Sequence, residues 1–180
     1  MLASQIQTET ARANETKSNE GAVRPLQVVI FTPLGAGGQG GVDRMMDELR
    51  GALQMERFAN AKTYFITTRG PGSILFSPVF VAHAIVRLVL LRLLGRADVV
   101  HINLSAHGST YRKLILARVS RICRAPYMLH LHSGQFDQFW DSRKGILKKE
   151  IDLMFRKSQR ITVRRILKIK HVMTGKKKLK

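Results

Sequence analysis

The chain has 180 residues, a formal net charge of +19 at pH 7 and 44% hydrophobic residues. This length and composition suffice for one domain with a hydrophobic core, with or without tails. The single cysteine, Cys123, excludes an internal disulfide and favours a reducing, cytoplasmic setting.

The positive charge is concentrated near the end of the chain. Residues 156–180 contain eleven Lys or Arg and no acid, and much of the remaining charge lies on two predicted helices, residues 87–96 and 112–124. Basic helical faces beside apolar residues suit an anionic membrane surface at least as well as DNA. The aromatic residues are scattered and predict no stacking platform for single strands. We therefore do not expect nucleic acid as a partner.

The first part of the chain predicts no folded structure. Residues 1–24 are polar, without an apolar run, and lack the basic start and hydrophobic centre of a signal peptide. We expect a disordered lead-in and a protein that is not secreted. Pro25 marks the predicted start of the fold.

A strand, a glycine loop and a helix follow. An apolar run at residues 28–31 enters a loop, residues 35–41, with five glycines. Glycine permits positive φ and leaves the backbone open to a ligand, and a helix N-terminus favours phosphate. Apolar residues then recur at helical spacing: Val42, Met45, Met46, Leu49 and Leu53. The candidate phosphate-binding residues are Gly37, Gly38, Gly40 and Gly41.

The glycine loop is not specific by itself. The next predicted strand, residues 61–68, ends in Arg69 rather than the acidic residue of a dinucleotide site, and no Walker lysine follows the glycines. The alternative to ligand binding is that the glycines form a turn that lets the strand and the helix pack closely. The sequence leaves both readings open.

Residues 74–94 are long and apolar enough to suggest a membrane span. Pro78 divides the segment, and Arg87 and Arg92 lie within it, each costing about 2.5–3.5 kcal/mol at a bilayer centre. We expect a helix buried in the domain or lying at a membrane interface. His83 is interpreted as a packed or surface histidine.

The rest of the chain continues the alternation of strands and helices. Strands are predicted at residues 97–103 and 127–132, separated by an amphipathic helix capped by Ser109 or Thr110. The apolar face of that helix comprises Tyr111, Leu114, Ile115, Val119, Ile122 and Cys123. The alternation predicts an α/β fold with a doubly wound, parallel, Rossmann-like sheet, whose ligands bind at the carboxyl ends of the strands.

Three groups of residues meet at that predicted edge, although each has an ordinary structural explanation. One is the glycine loop, and the others follow two later strands. The candidate substrate-binding residues there are Asn103, Ser105, His107, Ser133 and Gly134, and His132 lies beside them.

Over residues 26–163 the sequence resembles the amino-terminal half of a family 4 glycosyltransferase of the GT-B type. No single matching segment is diagnostic of the family, but the order and spacing of the segments together are fairly specific. The matching segments are Thr32-Pro33, residues 37–44, residues 97–103, residues 126–134 and the helix–strand junction at residues 156–163.

The resemblance implies a retaining hexosyltransferase that uses a nucleotide sugar and needs neither a divalent metal nor another cofactor. It implies a lipid-linked or polysaccharide acceptor, held mainly by this domain, as in polysaccharide biosynthesis. By the same resemblance, Gly40 and Gly41 would lie near the donor phosphates, and His132 would lie near the transferred sugar as the candidate catalytic residue. We expect a cytoplasmic protein with peripheral contact to the anionic inner face of the membrane.

The sequence departs from the family after Val163, where a second, donor-binding domain would follow. We therefore expect a truncated protein: a domain over residues 25–163, a basic, disordered tail over residues 164–180, and no activity unless another chain supplies the donor half. Two alternatives stay open. One is a small phosphate- or polyanion-binding α/β domain without catalysis, and the other is a basic binder of nucleic acid or membrane surfaces.

Overall fold

A computed structural model describes residues 24–38, 40–54 and 60–163. The predicted lead-in, apart from Arg24, and the predicted tail at residues 164–180 lie outside the described residues. Arg24 belongs to the fold, because its guanidinium donates to Asp98 Oδ1 at 2.5 Å and to the Gly95 carbonyl at 2.6 Å.

The described chain alternates strands with helices, as the apolar runs and helical spacings predict. A short 3₁₀ turn, Ile74–Phe76, precedes the second helix. The elements are β1 (Leu26–Thr32), α1 (Gly41–Ala52), β2 (Ala61–Thr67), α2 (Ser77–Leu93), β3 (Val99–Leu104), α3 (Gly108–Ile122), β4 (Tyr127–Leu131), α4 (Phe136–Asp141), α5 (Gly145–Lys157) and β5 (Arg160–Val163).

The five strands form one parallel sheet in the order β2-β1-β3-β4-β5. The predicted α/β fold with a doubly wound, Rossmann-like sheet is confirmed. The strand order reverses between β1 and β3, and this switch point is where open α/β sheets leave a crevice for ligands.

Helices cover the two faces of the sheet unequally. On one face α3 packs against both α2 and α5, and this side holds the main core, which includes the fully buried Phe31, Leu88, Ile102, Leu116 and Leu129. On the other face α1 contacts the sheet, with Met46 against β3. Because side chains alternate along a strand, Val100 and Ile102 belong to the main core, whereas His101 and Asn103 face the α1 side.

The predicted helix at residues 74–94 packs against the sheet along one side only. Val81, Ala84, Leu88 and Leu91 are buried, and much of the opposite side is exposed. Within the described ranges, Ile74–Leu93 is the one segment that meets the length and composition of a membrane span, with mean hydropathy 2.2 and 28% of it buried. His83 is a surface histidine.

One prediction about α3 is wrong, and another holds for only part of the helix. The helix begins at Gly108, so Ser109 and Thr110 lie in its first turn and do not cap it, and Thr110 Oγ1 instead donates to the Ser105 carbonyl at 2.9 Å. Of the predicted apolar face, Leu114 and Val119 pack against the core, whereas Tyr111 and Ile115 are about half exposed and Ile122 is mostly exposed. The residues that α3 buries are Thr110, Lys113, Leu116, Ala117 and Ser120.

Candidate functional site

Asn103 and His132 meet at the carboxyl ends of β3 and β4. Asn103 is 2% exposed, and its Nδ2 donates to the Phe31 carbonyl at 2.9 Å and approaches Met46 Sδ at 3.1 Å. Its Oδ1 lies 2.8 Å from His132 Nε2. One amide therefore ties β1, α1 and the residue after β4 together beside the switch point.

These contacts settle the tautomer of His132. A carbonyl oxygen only accepts hydrogen bonds, so the Phe31 carbonyl identifies the amide nitrogen of Asn103 as the donor. The amide oxygen is then the acceptor, and His132 Nε2 must carry the proton. Asn103 thereby fixes both the orientation of the ring and its hydrogen position.

Two further histidines, which the sequence analysis missed, continue from His132 along the same face. The ring centroids of His130 and His132 are 4.0 Å apart, and those of His101 and His130 are 5.7 Å apart and stacked. Burial, with a contribution from His130, lowers the pKa of His101 to about 4. The two-residue spacing of His130 and His132 was the available signal, because it places both on one face of a strand.

Two carboxylates of α1 accept hydrogen bonds from backbone amides in and just before the glycine loop. Asp43 is 3% exposed, and its Oδ1 accepts from the Leu34 amide at 3.0 Å, while Asp47 Oδ2 accepts from the Gly37 amide at 2.9 Å. A Cβ on Gly38 would lie 2.6 Å from Asp43 Cβ, and one on Gly40 would lie 2.8 Å from its Oδ2. Close packing of loop on helix, the structural alternative, therefore accounts for Gly38 and Gly40.

These contacts also bear on the predicted phosphate role of the loop. A phosphate bound at Gly37 would compete with Asp47 for the amide and would approach the negative charge of Asp43. Gly41 is exposed and has space around it. The assignment of Gly37, Gly38, Gly40 and Gly41 to donor phosphate stays a prediction that requires the two carboxylates to move.

The other predicted site residues lie around the same edge. His107 has φ 58° and ψ −132°, and its ring packs edge-on against Phe139 with centroids 5.3 Å apart. Ser133 Oγ accepts from the Gln135 amide at 3.3 Å, and Gly134 is exposed. The backbone carbonyl of Ser105 is bound by α3. The hydrogen bonds therefore join Asn103 to His132, whereas His107 and Ser133 contact other residues.

The edge also holds cations that the sequence analysis missed. Lys113 is 2% exposed, and its Nζ donates to Thr68 Oγ1 at 2.6 Å, while that hydroxyl donates to the Thr32 carbonyl at 2.9 Å. The pKa of Lys113 is lowered to about 7, mainly by burial and also by the charge of Arg112, while the charge of Asp43 opposes the shift. The pKa of Arg112 is lowered by burial and by the charge of Arg69.

No group of three or more His, Cys, Asp or Glu side chains suited to a metal ion occurs in the part of the chain that the structure describes. Comparison of the chain with protein-family models, with curated proteins and with solved structures finds no match. The glycosyltransferase assignment therefore depends on the sequence resemblance and on the geometry at this edge.

We expect acid to destabilise the fold through His101. Its pKa is 6.5 in an unfolded chain and about 4 in the fold, so the unfolded state binds the extra proton between these values. The associated stability is complete above pH 6.5 and is lost as the pH falls to 4, by up to roughly 3 kcal/mol. In urea unfolding between pH 6.5 and pH 4, the free energy of unfolding should fall less for His101→Phe than for the wild type. An equal fall in both proteins would show that His101 does not cause the acid sensitivity.

Replacing the buried lysine should stabilise the protein. Lys113→Met removes a buried cation, while Thr68 keeps its bond to the Thr32 carbonyl, so we expect a gain of about 1–4 kcal/mol. Burying the charged lysine lowers the free energy of unfolding. This effect is complete below pH 7, where the lysine is charged in both states, and it disappears above pH 10.5, where the lysine is neutral in both states. Denaturant unfolding should therefore show a gain that shrinks as pH rises. The exposed Lys149→Met is the control, and a destabilised Lys113→Met would refute the prediction.

The backbone at His107 should be strained. Its φ of 58° is costly for a residue with a Cβ, so His107→Gly should raise the free energy of unfolding by about 1 kcal/mol relative to His107→Ala. Both variants lose the contact with Phe139, so their difference isolates the backbone cost. Equal stability of the two in urea unfolding would show that the backbone is relaxed.

Proposed function

We propose that residues 25–163 form the acceptor-side domain of a retaining glycosyltransferase that uses a nucleotide sugar. The observation that carries the proposal is the Asn103–His132 pair beside the switch point, with Nε2 of His132 held at 2.8 Å from the amide oxygen. The histidine that the family resemblance puts near the transferred sugar thus has a fixed orientation and hydrogen position. Because Nε2 is bonded to Asn103 and Nδ1 is buried, a sugar hydroxyl would bind the His132 ring by displacing one of these contacts.

The acceptor in this proposal is a glycan, free or attached to a lipid, and the donor is held mainly by a second domain. A donor domain is needed because charge develops on the leaving nucleotide and water must be excluded. The proposed reaction therefore requires a donor-binding domain beside this one, and the property that we expect of residues 25–163 themselves is acceptor binding.

The proposed location is the cytoplasm, with peripheral contact to an anionic membrane surface. Support comes from exposed apolar side chains at the start of α2, where Leu75 is 81% exposed, Phe76 61% and Val79 66%. Arg87 on the same helix is also exposed. Apolar side chains near basic ones suit the interface of an anionic bilayer.

Glycan binding tests the proposed function directly. The 180-residue chain should bind a subset of saccharides on a glycan array, and the best of them should show saturable binding in calorimetry. His132→Gln should weaken this binding about tenfold, the effect expected from losing one oriented hydrogen bond. His83→Gln, at an exposed histidine of α2, should leave it unchanged.

Two outcomes would count against the glycosyltransferase proposal. One is the absence of any saccharide bound by the folded chain, with folding confirmed by circular dichroism. The other is glycan binding that His132→Gln and His83→Gln affect equally, since the bound sugar would then lie away from the Asn103–His132 pair.

A further inference from the structure

A groove separates the first turns of α2 from α3 on the side of the sheet opposite α1. Its volume is about 430 Å³, within the range of small-molecule sites. Its lining is mainly apolar and includes Ile74, Val81, Ile85 and Ile115. Ile74 and Ile115 are about half exposed, so the groove opens to solvent along apolar edges.

Two polar side chains line the same groove. Ser77 is 5% exposed, and its Oγ has no hydrogen-bond partner among the described residues. Arg112 also lines the groove, and its buried Nε has no partner there either. Buried polar atoms of native proteins are nearly always hydrogen-bonded, so unsatisfied atoms on a cavity wall indicate a ligand with acceptors.

Further positive charge lies beside Arg112. Arg69 is close enough for its charge to lower the pKa of Arg112, and the buried Nε of Arg69 also lacks a hydrogen-bond partner in the described ranges. Lys113 lies behind them, fully buried. Of the ion pairs within the described residues, none involves these three cations. Asp43 partly offsets the charge of Lys113, whereas the causes that shift the pKa of Arg112 include no acidic group, so an anionic ligand is favoured at the two arginines.

The backbone holds Arg69 in place at the end of β2. Its amide donates to the Pro33 carbonyl at 2.9 Å. The next residue, Gly70, has φ +76° and is buried against the Phe80 ring, which lies 2.1 Å from where a Cβ would be. The turn is therefore packed onto α2 and holds the Arg69 backbone beside the groove.

We propose that this groove binds an anionic amphiphile, with a phosphate headgroup at Arg69 and Arg112 and an alkyl chain along the apolar wall. Arginine is suited to the headgroup because its planar guanidinium binds phosphate through two parallel hydrogen bonds. The site is separate from Asn103 and His132, which face the other side of the sheet, and it does not depend on glycosyl transfer.

The first experiment uses decyl phosphate below its micelle concentration. Calorimetry should show saturable binding of one molecule per chain, with inorganic phosphate and decyl maltoside each at least about tenfold weaker, because each supplies only half of the interaction. Equal affinities for decyl phosphate and inorganic phosphate would exclude the groove from the site. Equal affinities for decyl phosphate and decyl maltoside would exclude the cations.

Matched variants locate the site. Arg69→Gln and Arg112→Gln should each weaken decyl phosphate binding about tenfold, whereas Arg118→Gln, at an exposed arginine of α3, should change it less than about twofold. The exposed Ala82 lines the groove, so Ala82→Trp should block the alkyl chain. Leu90→Trp, two turns further along α2, should not. Equal effects within either pair would overturn the proposal.

Vesicles distinguish the source of the amphiphile. Flotation with phosphatidylcholine vesicles, with and without phosphatidic acid, should be compared for the wild type, Arg112→Gln and Arg118→Gln. If Arg112→Gln alone loses binding to phosphatidic acid, the ligand is a membrane lipid. If Arg112→Gln loses decyl phosphate but keeps vesicle binding, the ligand is a soluble amphiphile. Glycan binding should be unaffected by Arg112→Gln, so this proposal and the glycosyltransferase proposal can fail separately.

Discussion

The side-chain amide of Asn103 connects the elements that form the switch-point crevice. It is buried, it bonds the carbonyl of Phe31 in β1, it contacts Met46 of α1, and it accepts from His132 beyond β4. A buried amide that lost these partners would be costly, so the three elements must keep their relative positions. The requirement to satisfy one buried polar group thus determines the tautomer and orientation of the histidine.

The two faces of the sheet offer different chemistry at the same edge. On the α1 side stacked histidines and an amide supply neutral hydrogen-bonding groups, and the carboxylates of Asp43 and Asp47 bind the loop amides. On the α2–α3 side arginines and a buried lysine stand beside an apolar groove. An uncharged glycan suits the first environment and a phosphate with an alkyl chain suits the second, so the two ligands that we propose would bind without competing.

The sequence predicted the sheet well because long apolar runs and glycine-rich turns reflect local backbone preferences and burial. It failed at α3, where apolar Tyr111 and Ile115 are exposed and Lys113 is buried, because hydrophobicity alone cannot show which face of a helix meets the sheet. It also could not show that Asp43 fills the glycine loop, since that contact depends on how α1 follows the loop. The sequence could place Asn103 and His132 close together because each lies at the carboxyl end of a neighbouring strand.

Several departures from ordinary folding rules lie at the carboxyl edge of the sheet, and others lie at the opposite edge, where Arg124 has φ 52° and Nη1 of Arg121 lacks a hydrogen bond among the described residues. Lys113 is buried, His107 has a positive φ, and the Nε atoms of Arg69 and Arg112 lack hydrogen bonds among the described residues. Each feature costs stability, and selection tolerates such costs while the total stability stays above the threshold for function. Strained and unsatisfied groups are also frequent at functional sites. Because these features occur at both edges of the sheet, the argument for binding at the carboxyl edge depends on the Asn103–His132 pair and on the arginines beside the groove.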